Sequence, residues 1–258
     1  MAREDIDELR RLYSEGSKHS NYQVLPDCLQ QFISSDDIRT LSRYEAERLK
    51  FIKSTISFAG CTVLDVGGNT GFFSFEALEA GAARVDYYEG NPNHAAFVEL
   101  AARMLQFDDR IEVRNKYLDF QDERPESSYD IGLLLNVLHH IGDDYGDPEL
   151  SVEKAREQII EDLVGLSRSI KILAFQLGYN WKGNRNLPLS ATGTKQEMIE
   201  YLTSGLRGSW EMLRIGIAER DEQGVSYREP TKENIARDDS LGEFLNRPLF
   251  LMRSLSLG

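Results

Sequence analysis

Between Asp65 and Phe72 the chain reads Asp-Val-Gly-Gly-Asn-Thr-Gly-Phe, a polar, glycine-rich step between two apolar runs. Glycines lack a Cβ, so Gly67, Gly68 and Gly71 let the backbone turn sharply and approach a ligand closely. A helix opening after such a loop offers free N–H groups. The dinucleotide fingerprint G-x-G-x-x-G does not fit, because Asn69 and Phe72 stand where it needs glycine. An ordinary strand–helix turn could carry the same glycines. A second group of chemical interest is Glu89, followed by Gly90, at the end of the apolar run 83–88. One carboxylate can accept two charge-assisted hydrogen bonds from a diol.

Two adjacent histidines, His139 and His140, follow the apolar stretch 131–138. A neutral imidazole can take a proton from a substrate hydroxyl. The same side chains could instead cap a helix or bond a loop. With Asp143, Asp144 and Asp147 they have the ligand types of a divalent-cation site. A solvated acidic loop uses the same residues, and no metal is expected. His19 lies in the polar segment Lys18–Gln23, which also holds Tyr22 and could close as a lid. Residues 178–188 combine Tyr179, Trp181, Lys182 and Arg185 with three asparagines. Aromatic faces and amide donors suit a sugar, and the cations suit a phosphate or carboxylate. A surface loop with a half-buried Trp is the alternative.

These groups need elements to hold them. Apolar runs at 61–66, 83–88, 111–113, 129–136, 169–177, 210–218 and 248–252 read as strands. Helical patterns fall at 4–15, 36–57, 70–80, 92–105, 150–167 and 194–203. Pro92 near the start of its helix fits the first-turn preference for proline. Strands alternating with helices predict an α/β fold, a doubly wound and mostly parallel seven-stranded sheet. Ligands on such sheets sit beyond the carboxyl ends of the strands, which is where the polar groups fall. Residues 1–58 are expected to form an N-terminal helical extension or lid, and 59–258 the cofactor-binding domain.

The run Val63-Leu64-Asp65-Val66-Gly67 with Gly71 resembles the first motif of class I S-adenosylmethionine (SAM) dependent methyltransferases. The resemblance covers about residues 61–140. It implies that Asp65, Gly67, Gly68, Asn69, Gly71 and Phe72 form the loop under the methionine part of S-adenosyl-L-methionine. It implies that Glu89, 18 residues after Gly71, binds both ribose hydroxyls beside Gly90. It places Leu118 and Asp119 by the adenine, with Tyr117 as the rival, and Asn136 by the methionine moiety. The segment Asn136-Val-Leu-His139-His140 is similar to the family's variants at that strand end. Residues 243–252, with Arg43–Glu45, loosely resemble enzymes that modify the tRNA wobble uridine, and also bacterial saccharide methyltransferases.

The net charge of −13 makes nucleic acid a poor partner, since phosphate neutralisation needs clustered Lys and Arg. Only 177–215 is locally basic, with five Lys/Arg against three acids. No apolar run approaches the roughly 20 residues of a membrane span. Cys28 and Cys61 lack metal spacing and read as free thiols of a reducing, cytoplasmic compartment. The expectation is a SAM-dependent methyltransferase acting on an oxygen of a small polar acceptor such as a saccharide or sugar phosphate. His139, His140 and His19 are its base candidates. A tRNA wobble-uridine-modifying transferase and a non-catalytic SAM-fold binding subunit are the alternatives. Nothing in the sequence specifies the oligomeric state.

Overall fold

The computed structural model describes residues 3–14, 23–34, 38, 40–118, 120 and 128–257. The chain divides into two compact units. The first holds residues 1–49 and 53–117, and the second holds 50–52 and 118–258.

In the first unit, strands β1 (Thr62–Val66), β2 (Arg84–Tyr88) and β3 (Ile111–Arg114) lie in the order β3-β2-β1. Both pairings are parallel, with Val63 opposite Val85 and Val85 opposite Ile111. Val63, Leu64 and Val66 are buried, as a strand covered on both faces requires. Helix α1 (Arg3–Ser14) packs on α4 (Pro92–Leu105), with the Tyr13 and Phe97 rings 5.8 Å apart. Pro92 takes the first helical position, and the Asn91 side chain accepts from the N–H of Asn93 at 2.9 Å. Helix α3 (Phe72–Glu79) buries Phe72, Phe73, Phe75 and Leu78. Helix α2 (Glu45–Lys53) is shorter than the expected 36–57. Tyr44 before it has φ +58°, which helical backbone does not allow, and Glu45 turns back to accept from the N–H of Arg43.

The second unit contains β4 (Tyr129–Leu135), α5 (Val152–Leu166), β5 (Ile170–Gln176), α6 (Lys195–Gly205), β6 (Trp210–Asp221), β7 (Gly224–Arg228), α7 (Gly242–Leu245) and β8 (Leu249–Ser254). Its strand order is β4-β5-β8-β6-β7. Only β4 and β5 pair in parallel; β8 runs antiparallel to β5 and β6, and β7 antiparallel to β6.

One expectation is corrected. The described residues form eight strands, because β6 turns at Asp221–Gly224 into the unforeseen β7. Strand β7 reads Gly-Val-Ser-Tyr-Arg, and its Arg228 pairs across the hairpin with Glu219 and Asp221 at 3.3 Å. The pairing is mixed: β1, β2 and β3 pair in parallel, as do β4 and β5, while β8 runs antiparallel to both its neighbours and β7 antiparallel to β6.

Candidate cofactor loop and acceptor cavity

In the first unit, the segments after β1, β2 and β3 converge. The N–H groups of Gly67 and Gly68 both point to the carbonyl of Tyr88, at 2.8 and 3.3 Å, so the loop folds over the end of β2. Gly67 and Gly71 have φ +67° and +78°, and Asn69 has φ +53°. A Cβ on Gly68 would sit 2.4 Å from the Tyr87 ring and 2.9 Å from an Asp65 carboxylate oxygen. The Tyr87 hydroxyl donates to the Asn69 carbonyl. The loop is thus clamped from beneath by an aromatic ring that only glycine admits.

Glu89 holds the loop from the other side. One carboxylate oxygen accepts from the N–H of Asn69 at 2.9 Å, the other from the N–H of Asn91 at 2.8 Å. A carboxylate has about four lone-pair sites, so it can accept from more than these two backbone donors. Asn115, after β3, donates to the carbonyls of Glu89 and Gly90 at 2.9 and 3.3 Å. The Tyr117 ring lies over Gly90, where a Cβ would come within 2.2 Å of it, yet Tyr117 remains 49% exposed. Beside Glu89, this exposed ring offers a planar apolar face. Leu118 is buried, and Asp119, His19 and Tyr22 lie outside the described residues.

Asp65 is 4% exposed and accepts from Ser74 Oγ at 2.7 Å. Burial pushes its carboxyl up from 3.8 to about 7, Ser74 works against the shift, and the Glu89 charge adds to it. Burial first, then Glu89 and Asp65, raises Tyr87 as well. Between the unfolded and folded values the native state binds more protons, so Asp65 costs stability as pH rises from about 4 to about 7. Asp65→Asn is expected to lose that slope: the stability of the wild type minus the variant should fall across this window in urea titrations. A difference independent of pH would contradict the burial of an ionising group.

Gln23 was legible only as the end of a polar segment, and the structure gives it a place. Gly71, the residue preceding α3, provides no side-chain cap. Instead Gln23 Oε1 accepts from the N–H of Phe72 at 3.2 Å and from Thr70 Oγ1 at 3.3 Å. Phe72 itself is buried, edge-on to Phe73 at 5.2 Å. The acceptor is nearly fifty residues away in sequence, so no local capping pattern announces it.

In the second unit, Asn136 directly follows β4 with φ +67°. Its side chain donates to Gln176 Oε1 at 2.9 Å and accepts from Arg247 Nη1 at 2.9 Å. Arg247 also pairs with Glu243 at 2.6 Å. His139 is buried and accepts through Nδ1 from the N–H of Gly178 at 3.3 Å. Its ring fills the space that a Cβ at 178 would need. The His140 ring lies 4.2 Å from it. His140 Nδ1 is 3.8 and 3.7 Å from Asp143 and Asp144, and one ligand atom from each of the three falls within 4.8 Å of the others. These are donor types a divalent ion accepts.

A cavity of about 440 Å³ opens in this unit, lined by Tyr179, Asn180, Arg185, Thr192, Arg237 and Glu243 among others. Tyr179 and Arg185 of the expected acceptor set therefore meet there. Trp181 and Lys182 are engaged with the 141–148 turn: Trp181 is buried and donates to the Ile141 carbonyl at 2.6 Å, and Lys182 donates to the Pro148 carbonyl at 3.2 Å. Lys182 also lies 4.4 Å over the Trp181 ring. Arg237 is new to the site. It donates to the Gly193 carbonyl at 2.9 Å and to Asp239 at 2.6 Å, and lies 5.8 Å over the Tyr179 ring. No helix among the described residues is long and apolar enough to cross a membrane.

No family model and no curated protein matches the sequence. Solved structures do. A co-crystal structure of WbdD with a kinase inhibitor aligns over 95% of this chain and 47% of its own, with a TM-score of 0.59 and 16% identity. Another structure of WbdD, a bifunctional kinase-methyltransferase, aligns with a TM-score of 0.57 and 15% identity over 95% of this chain and 46% of its own. The chain thus spans just under half the length of WbdD. A putative RNA methyltransferase from Pyrococcus horikoshii aligns over 98% and 99% of the two chains, but at a TM-score of 0.47 and 12% identity, too low to argue from. Identities this low speak for architecture alone, and on the WbdD likeness, joined to the loop built around Gly67, Gly71 and Glu89, the chain has a class I methyltransferase fold.

Proposed function

We propose that this chain is a SAM-dependent methyltransferase that methylates an oxygen of a small polar acceptor, such as a saccharide or sugar phosphate. The observation that carries the reading is Glu89, whose carboxylate joins the glycine loop to the start of α4 and keeps acceptor capacity for a ribose diol. The residues fit the cofactor. Gly68 and Gly71 let the loop pack tightly on Tyr87 and Val98, and Tyr117 over Gly90 gives a flat face beside the proposed ribose acid. Asp65, Gly67, Asn69 and Phe72 shape the loop, and Leu118, Asp119 and Asn136 complete the proposed set. SAM supplies an electrophilic methyl on a sulfonium centre.

The chain's own task is to orient the acceptor hydroxyl and take its proton. His139, His140 and His19 are the proposed proton acceptors. Tyr179 and Arg185, with Arg237, are proposed to bind the acceptor in the cavity of the second unit. Tyr22, Trp181 and Lys182 complete the proposed acceptor set. A net charge of −13 favours a small acceptor over nucleic acid, and the free thiols of Cys28 and Cys61 suit a cytoplasmic setting.

Calorimetric titration with S-adenosylhomocysteine tests the first half, and no heat of binding would sink it. For the second half, methyl transfer to phosphorylated and neutral sugars is compared in the wild type and Arg185→Ala. KM for the anionic sugar should rise about tenfold, the scale of one charge-assisted hydrogen bond, with kcat little changed. An unaltered KM would remove Arg185 from the acceptor site.

A further inference from the structure

We infer that Gln23 is a cofactor-binding residue whose side-chain amide donates to the carboxylate of the amino-acid part of SAM. The assignment rests on the proposed cofactor reading. It starts from the orientation of the amide. The backbone N–H of Phe72 can only donate, so the atom of Gln23 facing it is the oxygen. Thr70 Oγ1 donates to the same oxygen. With Oε1 committed to the start of α3, the NH2 group is fixed on the other branch of the planar amide. Its two N–H donors have no partner among the described residues.

The backbone of Gln23 is held as firmly as its side chain. Tyr13 Oη donates to the Gln23 carbonyl at 2.6 Å and also lies 2.8 Å from Thr40 Oγ1. Tyr13 is 1% exposed and packs on Phe97 of α4. The donors are therefore preorganised at the glycine loop, which lowers the ordering cost of using them. The chemistry fits one kind of group. The loop around them, Gly67 to Gly71, is expected to lie under the methionine moiety, whose α-carboxylate is an acceptor-only anion. A neutral amide supplies donors there without a cation, and Glu89 serves the ribose further along.

The test uses Gln23→Glu, which separates capping from ligand binding. The carboxylate still accepts from Phe72 and Thr70, and a negative charge at a helix N-terminus is favourable, so thermal stability should hold. It has no donors, and it would face the ligand carboxylate with like charge. S-adenosylhomocysteine should bind at least about tenfold more weakly than to the wild type, the scale of losing one charge-assisted bond. 5′-Methylthioadenosine, which lacks the amino-acid group, should bind both proteins equally. Unchanged affinity for S-adenosylhomocysteine, or an equal loss for both ligands, would overturn the assignment and leave the cofactor reading standing. A wild type that binds neither ligand would overturn the cofactor reading and this assignment with it.

Discussion

Glu89→Ala should weaken S-adenosylhomocysteine binding by about 3 kcal/mol, more than a hundredfold, from two charge-assisted hydrogen bonds at about 1.5 kcal/mol each. The variant removes the acceptor for the ribose diol. It also removes the acceptor for the Asn69 N–H at 2.9 Å, so the loop loses one of its ties at the end of β2. Both effects act on the ligand, and the fold has other ties in the same place. Gly67 and Gly68 still bond the Tyr88 carbonyl, and Tyr87 still bonds the Asn69 carbonyl. Melting temperature should therefore fall much less than affinity. Calorimetry of both proteins at one pH and salt concentration decides it. An affinity within twofold of the wild type would remove Glu89 from the cofactor site, whatever the stability.

The largest stability effect is expected at Gly71→Ala. At φ +78° any Cβ is strained, by about 1–2 kcal/mol for a single residue in the left-handed region. The added methyl also meets Val98 Cγ2 at 2.8 Å and Phe75 at 3.1 Å. Val98 is buried, so the core of α4 must shift, and overpacking of this kind costs about 1–3 kcal/mol. The total expected is about 2–5 kcal/mol by urea denaturation. Gly60→Ala is the control. Its φ is +73°, but its Cβ would enter open space, so it should lose only the backbone part. Equal losses for the two variants would show that the close approach of α3 and α4 at Gly71 is not what requires glycine.

The part of this protein legible in its sequence is what a few adjacent residues decide. The run Val63-Leu64-Asp65-Val66 announces a buried strand by its apolar pattern, and β1 is there. Gly67 and Gly71 announce a sharp turn because they lack a Cβ, and both take positive φ. Pro92 announces a helix start by its fixed φ, and α4 begins at Pro92. Glu89 could be placed at the end of β2 by counting along the chain. Such features are local, so the code for them is local too.

What only the tertiary structure decided are pairings between distant segments. Nothing near Gln23 marks it as the acceptor for Phe72. Trp181 and Lys182 were legible by their chemistry, but only the return of the chain shows that they donate to the carbonyls of Ile141 and Pro148. Arg237 and Glu243 join Tyr179 and Arg185 around one cavity across more than fifty residues of sequence. Strand β7 escaped notice because its hairpin is held by Arg228 with Glu219 and Asp221, charged residues that look like a solvated loop until the strands pair. Residue type and spacing set each segment's own conformation. Which hydrogen-bonding and charged groups meet is set by where the chain comes back.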